Sequence, residues 1–240
     1  MSLRGLTLAV KPLAEYTPTV RLLAVFPHPD DEIGVSGTLA KHVQRGDAAK
    51  ILWLTRGEMA SHFGELPPGE VAQIREGHGR AVAQMIGAEW AFLDFADSSL
   101  TGGREEALAI ARVIALWKPD AVITWNPHDV HPDHRAAYWA TLSALKFCRI
   151  PKLVGEAHRQ PVRLLHYYRS DIPRPAIYVN VGEEGQAVAE QVFSFYRDFY
   201  QWAYSLEAFR ADRSRLGAEA GVRFAERFQA ESPLAHPYLG

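Results

Sequence analysis

The sequence predicts an α/β fold, a doubly wound and mostly parallel sheet in the order 3-2-1-4-5, on two observations. Short runs rich in aliphatic and β-branched residues alternate with longer amphipathic stretches between Val20 and Phe147, as βαβ units do. Glycine or proline stands at most of the joins, where a helix stops and the chain turns back. Val20 to Phe26 reads as the first strand and ends at Pro27; Gly34 to Arg45 reads as a helix that Gly46 stops. Ala49 to Leu54 is the second strand, Pro68 to Ile86 a helix stopped by Gly87, and Trp90 to Phe95 the third strand. Arg104 to Trp117 is a helix that Lys118-Pro119-Asp120 breaks, Ala121 to Trp125 the fourth strand, and His134 to Phe147 the next helix. Beyond Pro151 the pattern changes. Val162 to Tyr168 and Ala176 to Val181 are short runs separated by Pro173 and Pro175, and they read as edge or antiparallel strands. Glu183 to Tyr204 and Glu207 to Phe228 read as terminal helices rich in aromatic residues. Together these elements predict one Rossmann-like domain over residues 1–240, its core about 20–148 and further elements on the ligand side about 160–228.

Composition narrows the class of function. With 48% hydrophobic and 22% charged residues the chain can bury a sizeable core. A formal net charge of -2 carries no basic excess, so no nucleic-acid partner is expected. The longest apolar runs fall short of a bilayer span, so no membrane partner is expected either. Met1 to Leu13 lacks the apolar core and cleavage site of a leader. Cys148 is the single cysteine; it forms no intramolecular disulfide, which fits a cytoplasmic location. It closes an apolar helical stretch and reads as a buried structural thiol rather than a nucleophile.

Two tetrapeptides carry the chemistry. His28-Pro29-Asp30-Asp31 follows the first strand directly, and His131-Pro132-Asp133-His134 lies shortly after the fourth. Imidazole nitrogen and carboxylate oxygen are the ligands of a catalytic zinc, which commonly takes three from protein and leaves one position open. Fe²⁺ accepts the same donors. In the order 3-2-1-4-5, strands one and four are neighbours whose connections leave in opposite directions, opening a crevice at their carboxyl ends. Both words fall there. The plainer alternative is that Asp31 or Asp133 caps the helix that follows it. The long loop from Gly57 to Gly69 reads as a lid or binding loop, and the expected pocket lies between it and the C-terminal aromatic helix.

These residues resemble the LmbE-like/PIG-L family of zinc-dependent N-acetylglucosamine deacetylases. The likeness is good over residues 21 to 145 and loose in the last third. Leu22 to Gly37 matches the family's strand and His-Pro-Asp-Asp opening, and Thr55-Arg56-Gly57-Glu58, Asp97-Ser98 and His131-Pro132-Asp133-His134 match its later segments. The resemblance implies a hydrolase that removes an acetyl group from an N-acetylated sugar conjugate, in a chain able to form a homo-oligomer. It makes His28, Asp31 and His134 the metal ligands and Asp30 the general base. It makes His131 the group that stabilises the tetrahedral intermediate, with Asp133 orienting the second word. Arg75 and Asp97 fall where the family contacts sugar hydroxyls, and Asp129 reads as lining the pocket or contacting His131. His78 stands where the family often has glutamate.

The remaining candidates have plainer readings. His128, His131 and His134 recur every three residues, yet Pro127 and Pro132 work against helical spacing, so His128 reads as a rim or turn residue. His42 and His78 lie in helical stretches and read as surface or satisfied core residues. The aromatic run around Arg197 and Asp198 reads as a packing face, with a sugar-stacking wall as the alternative. Two rival functions remain: a metal-dependent hydrolase of another amide or ester, and a non-catalytic protein with a residual metal site.

Overall fold

A computed structural model describes residues 19–169 and 176–231. Strands β1 (Arg21–Phe26), β2 (Ala48–Trp53), β3 (Glu89–Phe92), β4 (Ala121–Trp125) and β5 (Arg163–Tyr167) run parallel in the order β3-β2-β1-β4-β5. Strands β6 (Ile177–Asn180) and β7 (Ala225–Ala230) complete a seven-stranded sheet. β7 lies antiparallel to β5, and β6 lies antiparallel to β7 at the edge.

Central strands of such a sheet are covered on both faces and so are apolar at successive positions. Leu22 to Phe26 and all of β4 are buried accordingly. Side-chain alternation then sorts the core into two layers. Ala24, Phe26, Ile51 and Trp53 face α1 (Ser36–Gln44), α2 (Pro68–Ile86) and α6 (Gly182–Tyr200). Leu23, Val25, Leu52 and Val122 face α3 (Arg104–Trp117) and α4 (Pro132–Phe147). The short α5 (Pro151–Val154) and α7 (Leu206–Glu219) lie outside this pattern. Among the described residues no helix is long and apolar enough to cross a membrane.

Three sequence expectations change. The stretch read as edge or antiparallel from Val162 is β5, an interior strand parallel to β4, with Leu164 and His166 buried. The prolines that suggested an edge, Pro173 and Pro175, lie beyond its last residue and outside the described residues, as do Met1 to Leu13. The helix expected to run to Phe228 stops at Glu219. Gly221 then turns the chain at φ 70°, a left-handed conformation that glycine adopts without steric cost, and Phe224, Ala225 and Phe228 return to the core as β7. The helix expected from Gly34 begins earlier, as a 3-10 turn over Asp31–Val35 leading into α1.

Candidate active site

β1 and β4 pair in parallel, with Leu22 opposite Ala121, so the segments leaving their carboxyl ends meet. The His28 and His131 rings lie 5.0 Å apart, and the His131 and His134 rings 4.6 Å. Pro132 opens α4 at a position where its missing N–H is no loss. The N-cap is His131 and neither aspartate: its Nδ1 accepts the Asp133 N–H at 3.2 Å. With Nδ1 accepting, the ring's own proton sits on Nε2 and is free to be donated. Burial, then the charges of His134 and His28, hold His131 below the usual histidine value.

Each of the other two imidazoles is fastened through one nitrogen and turns the other toward Asp31. His134 Nδ1 lies 2.9 Å from Asp129 Oδ1, and its Nε2 lies 3.1 Å from Asp31 Oδ1. His28 Nε2 lies 3.0 Å from Asp97 Oδ1 and 3.3 Å from Asp133 Oδ2, while its Nδ1 lies 3.6 Å from Asp31 Oδ2. Carboxylates on the outer nitrogens of metal-binding histidines fix tautomer and ring direction in this way. Asp31 is buried; burial alone raises its pKa, but the His134 charge and the hydrogen bonds from His134 and His28 outweigh it and hold the carboxyl well below its usual range. The donor set thus fits a divalent ion held by His28, Asp31 and His134. Two triples bring one donor atom each within 4.8 Å of one another, His28 with His131 and His134, and His28 with Asp97 and Asp133; Asp31 belongs to neither and joins the histidines through its pairwise distances of 3.1 Å to His134 and 3.6 Å to His28.

Asp30 stands apart from its neighbour. Its φ is 115°, in the left-handed region that a non-glycine residue occupies at a cost of about 1–3 kcal/mol. Surrounding contacts hold it there. Its N–H donates to Glu32 Oε2 at 3.0 Å, and Arg75 Nη2 lies 3.3 Å from its Oδ2. Burial raises the Asp30 pKa and the Arg75 charge only partly offsets that, so this carboxyl is the more readily protonated of the pair.

Arg75 and Asp97, read as sugar contacts, and Asp129, read as lining the pocket or contacting His131, all have partners within the protein. Arg75 is 3% exposed. It donates to Pro29 O and, at 3.0 Å, to Tyr200 Oη besides meeting Asp30. Gly57 leaves room for it, since a Cβ there would fall 2.5 Å from Arg75 Nε. Asp97 faces His28 and accepts the Met59 N–H at 2.9 Å. Asp129 faces His134 and accepts the His131 N–H at 2.9 Å. None of the three is among the residues that line the cavity. Asp133 accepts the Ser98 N–H at 2.8 Å and faces His28 at 3.3 Å, so its carboxylate ties the second word to the Asp97-Ser98 segment and to the first word. His128 is exposed at the turn. Cys148 is buried in the core. His42 pairs with Asp47 at 2.8 Å. His78 is buried against Phe195, Phe199 and the two tyrosines of α6, and its Nδ1 has no hydrogen-bond partner among the described residues.

The cavity beside these residues has a volume of about 550 Å³ and is lined by Asp30, Asp31, Trp125, Tyr167 and Arg169, with further walls from α6, α7 and β7. The Gly57–Gly69 loop is not one of its walls. It packs instead on the far end of α6, His62 and Phe63 against Tyr200 at 5.0 Å and 5.9 Å. Sequence reasoning gave no role to Glu32, Trp125, Tyr167 or Arg169. Position was the available signal: Trp125 and Tyr167 end β4 and β5, and a fifth parallel strand puts its carboxyl end at the same crevice.

A family model described as PIG-L, GlcNAc-PI de-N-acetylase, matches residues 23–145, just over half of the chain. The chain belongs to the PIG-L family. The matched span runs from β1 to α4 and contains every residue assigned above to metal binding or proton transfer. Among relatives, this PIG-L member is 28% identical to the diacetylchitobiose deacetylase of Thermococcus kodakarensis over 218 residues, 86% of this chain and 81% of that one. Among solved structures, the conserved protein TT1542 from Thermus thermophilus superposes with a TM-score of 0.79 at 30% identity, covering 91% of this chain and 97% of the other. GalB, the 4-carboxy-2-hydroxymuconate hydratase from Pseudomonas putida, reaches the same TM-score of 0.79 at 18% identity, over 92% and 100% of the two chains, a likeness of fold alone.

Proposed function

We propose that this PIG-L member is a metal-dependent deacetylase that hydrolyses the acetamide of an N-acetylglucosamine-type sugar conjugate, with zinc as its metal and ferrous iron as the alternative. The fold does not decide this, because one fold hosts several chemistries. The observation that carries it is the arrangement of His28 and His134, each tied to a carboxylate through one nitrogen and turned toward Asp31 through the other. The family description and the name of the Thermococcus relative supply the acetylated sugar.

His28, Asp31 and His134 would hold the ion. When bound, it lowers the pKa of water and polarises a carbonyl. Asp30, raised in pKa and beside the ligands, takes a proton from the attacking water as the new C–O bond forms. It returns that proton to the nitrogen as the C–N bond breaks, giving acetate and a free amine. His131, with Nε2–H available, donates to the oxygen that becomes negative between the two events. Glu32 and Arg75 keep Asp30 in its left-handed conformation.

Acetate release from N-acetylglucosaminyl-malate, N-acetylglucosaminyl-inositol and diacetylchitobiose, by chelator-treated protein with zinc or ferrous iron restored, tests this. Release from at least one conjugate that vanishes on chelation and returns with metal is expected. Silence on all three sugars, with turnover of another amide or an ester, would transfer the site to the rival hydrolase reading.

A further inference from the structure

One cation in the cavity has no hydrogen-bonded or ion-paired anion among the described residues, although its charge acts on Asp30 and Asp129 from farther away. Arg213 pairs with Glu226, Arg215 with Glu219 at 2.7 Å, and Arg227 lies 3.6 Å from Glu219. Arg169 has no hydrogen-bond acceptor among the described residues; its guanidinium lies over the face of Trp125, 4.7 Å from the ring centroid. Trp125 is itself stacked flat on His134, the two rings 4.1 Å apart and 7° from parallel. Guanidinium, indole and imidazole form a three-layer stack that fixes the charge relative to the proposed metal ligands. The buried indole Nε1 of Trp125 also lacks an acceptor among the described residues. Arginine and the indole N–H donate and never accept, and a buried donor left unmade is unfavourable. The buried indole N–H and the exposed guanidinium, side by side in a ligand-sized cavity, together present donors to an acceptor-rich group.

We propose that Arg169, backed by Trp125, is a specificity-determining residue that binds an anionic group, carboxylate or phosphate, on the substrate's aglycone. Arginine's planar fork matches both anions. The side of the cavity follows from repulsion. Asp30 and Asp31 also line it and disfavour an anion beside themselves, so the anionic group lies over Arg169 and the neutral acetamide lies over the aspartates. This assignment rests on the deacetylase reading for the sugar and deepens it by selecting acidic conjugates over neutral ones.

Ligands without an acetyl group test it without turnover. Zinc-loaded protein is titrated calorimetrically with glucosaminyl-malate, glucosamine 1-phosphate and methyl glucosaminide, which share the amine and differ in carrying carboxylates, a phosphate or no anion. The wild-type protein prefers at least one of the first two over the third, and the preferred one names the anion. Arg169→Gln reduces that preference by about 10- to 100-fold, the worth of a charge-assisted hydrogen bond, and Arg169→Lys, which keeps charge without the fork, falls between. No preference in the wild type, or a preference that Arg169→Gln leaves intact, overturns the proposal. If the preference behaves as described while no N-acetyl sugar releases acetate, the anion site stands and the deacetylase reading falls.

Discussion

Asp30 and Asp31 are neighbours in the chain, yet their surroundings pull them apart. Asp31 is drawn down by two imidazoles, and Asp30 is raised by burial and held at φ 115° by Glu32 and Arg75. Asp30→Ala should keep its metal and lose about 10²- to 10⁴-fold in kcat, the usual worth of general acid–base catalysis. Asp31→Ala should lose metal first and recover part of its activity in excess zinc. Metal content and steady-state kinetics of both variants check this; the opposite pattern means that the two roles are exchanged. The histidines and aspartates of the two words stood out in the sequence because imidazole and carboxylate clustered beside proline at strand ends are the donor types a catalytic metal takes. Asp129's contact with His131 was among the sequence readings, whereas the partners of Arg75 and Asp97 were not legible. Whether a buried polar side chain faces a ligand or another side chain depends on packing from distant segments. Arg75, for example, meets Tyr200 across the α2–α6 interface.

At the scale of elements, the crevice depends on how firmly the 3-10 turn carrying Asp31 is held. Glu226 on β7 accepts the N–H groups of Gly37 and Thr38 at 2.8 Å and 2.9 Å, amides that the first turn of α1 leaves without partners. Arg213 on α7 pairs with Glu226 and donates to Ile33 O at 2.9 Å. All of this is buried, so Arg213→Leu strands a carboxylate in the core. Removing one partner of such a pair costs about 3–5 kcal/mol, which a shifted urea midpoint at unchanged m-value would measure. A loss below about 1 kcal/mol would mean that the turn is held by other contacts. β7, which supplies this anchor, was invisible in the sequence. Its residues continue the aromatic spacing of the helix before it, and only the reversal at Gly221 separates the two. β5 was misread because the prolines taken as an edge signal, Pro173 and Pro175, lie beyond its last residue, Tyr167, and so say nothing about where the strand sits in the sheet. The strongly periodic elements, α2 and α3, were legible to the residue, because long amphipathic stretches bounded by proline and glycine leave little choice.

For the whole molecule, the sheet order brings the ends of β1, β4 and β5 to one crevice, where we place a divalent ion on His28, Asp31 and His134. The donor atoms also allow His28 with His131 and His134, or His28 with Asp97 and Asp133. The three sets make different enzymes. Only the first leaves His131 free to donate and Asp97 and Asp133 free to orient His28. Crystals grown with zinc, measured on both sides of the zinc absorption edge, locate the ion without reference to any mechanism. One anomalous peak is expected, about 2.0–2.3 Å from a nitrogen of His28, an oxygen of Asp31 and a nitrogen of His134. A peak bonded to His131, or to Asp97 and Asp133 in place of Asp31, would overturn that placement.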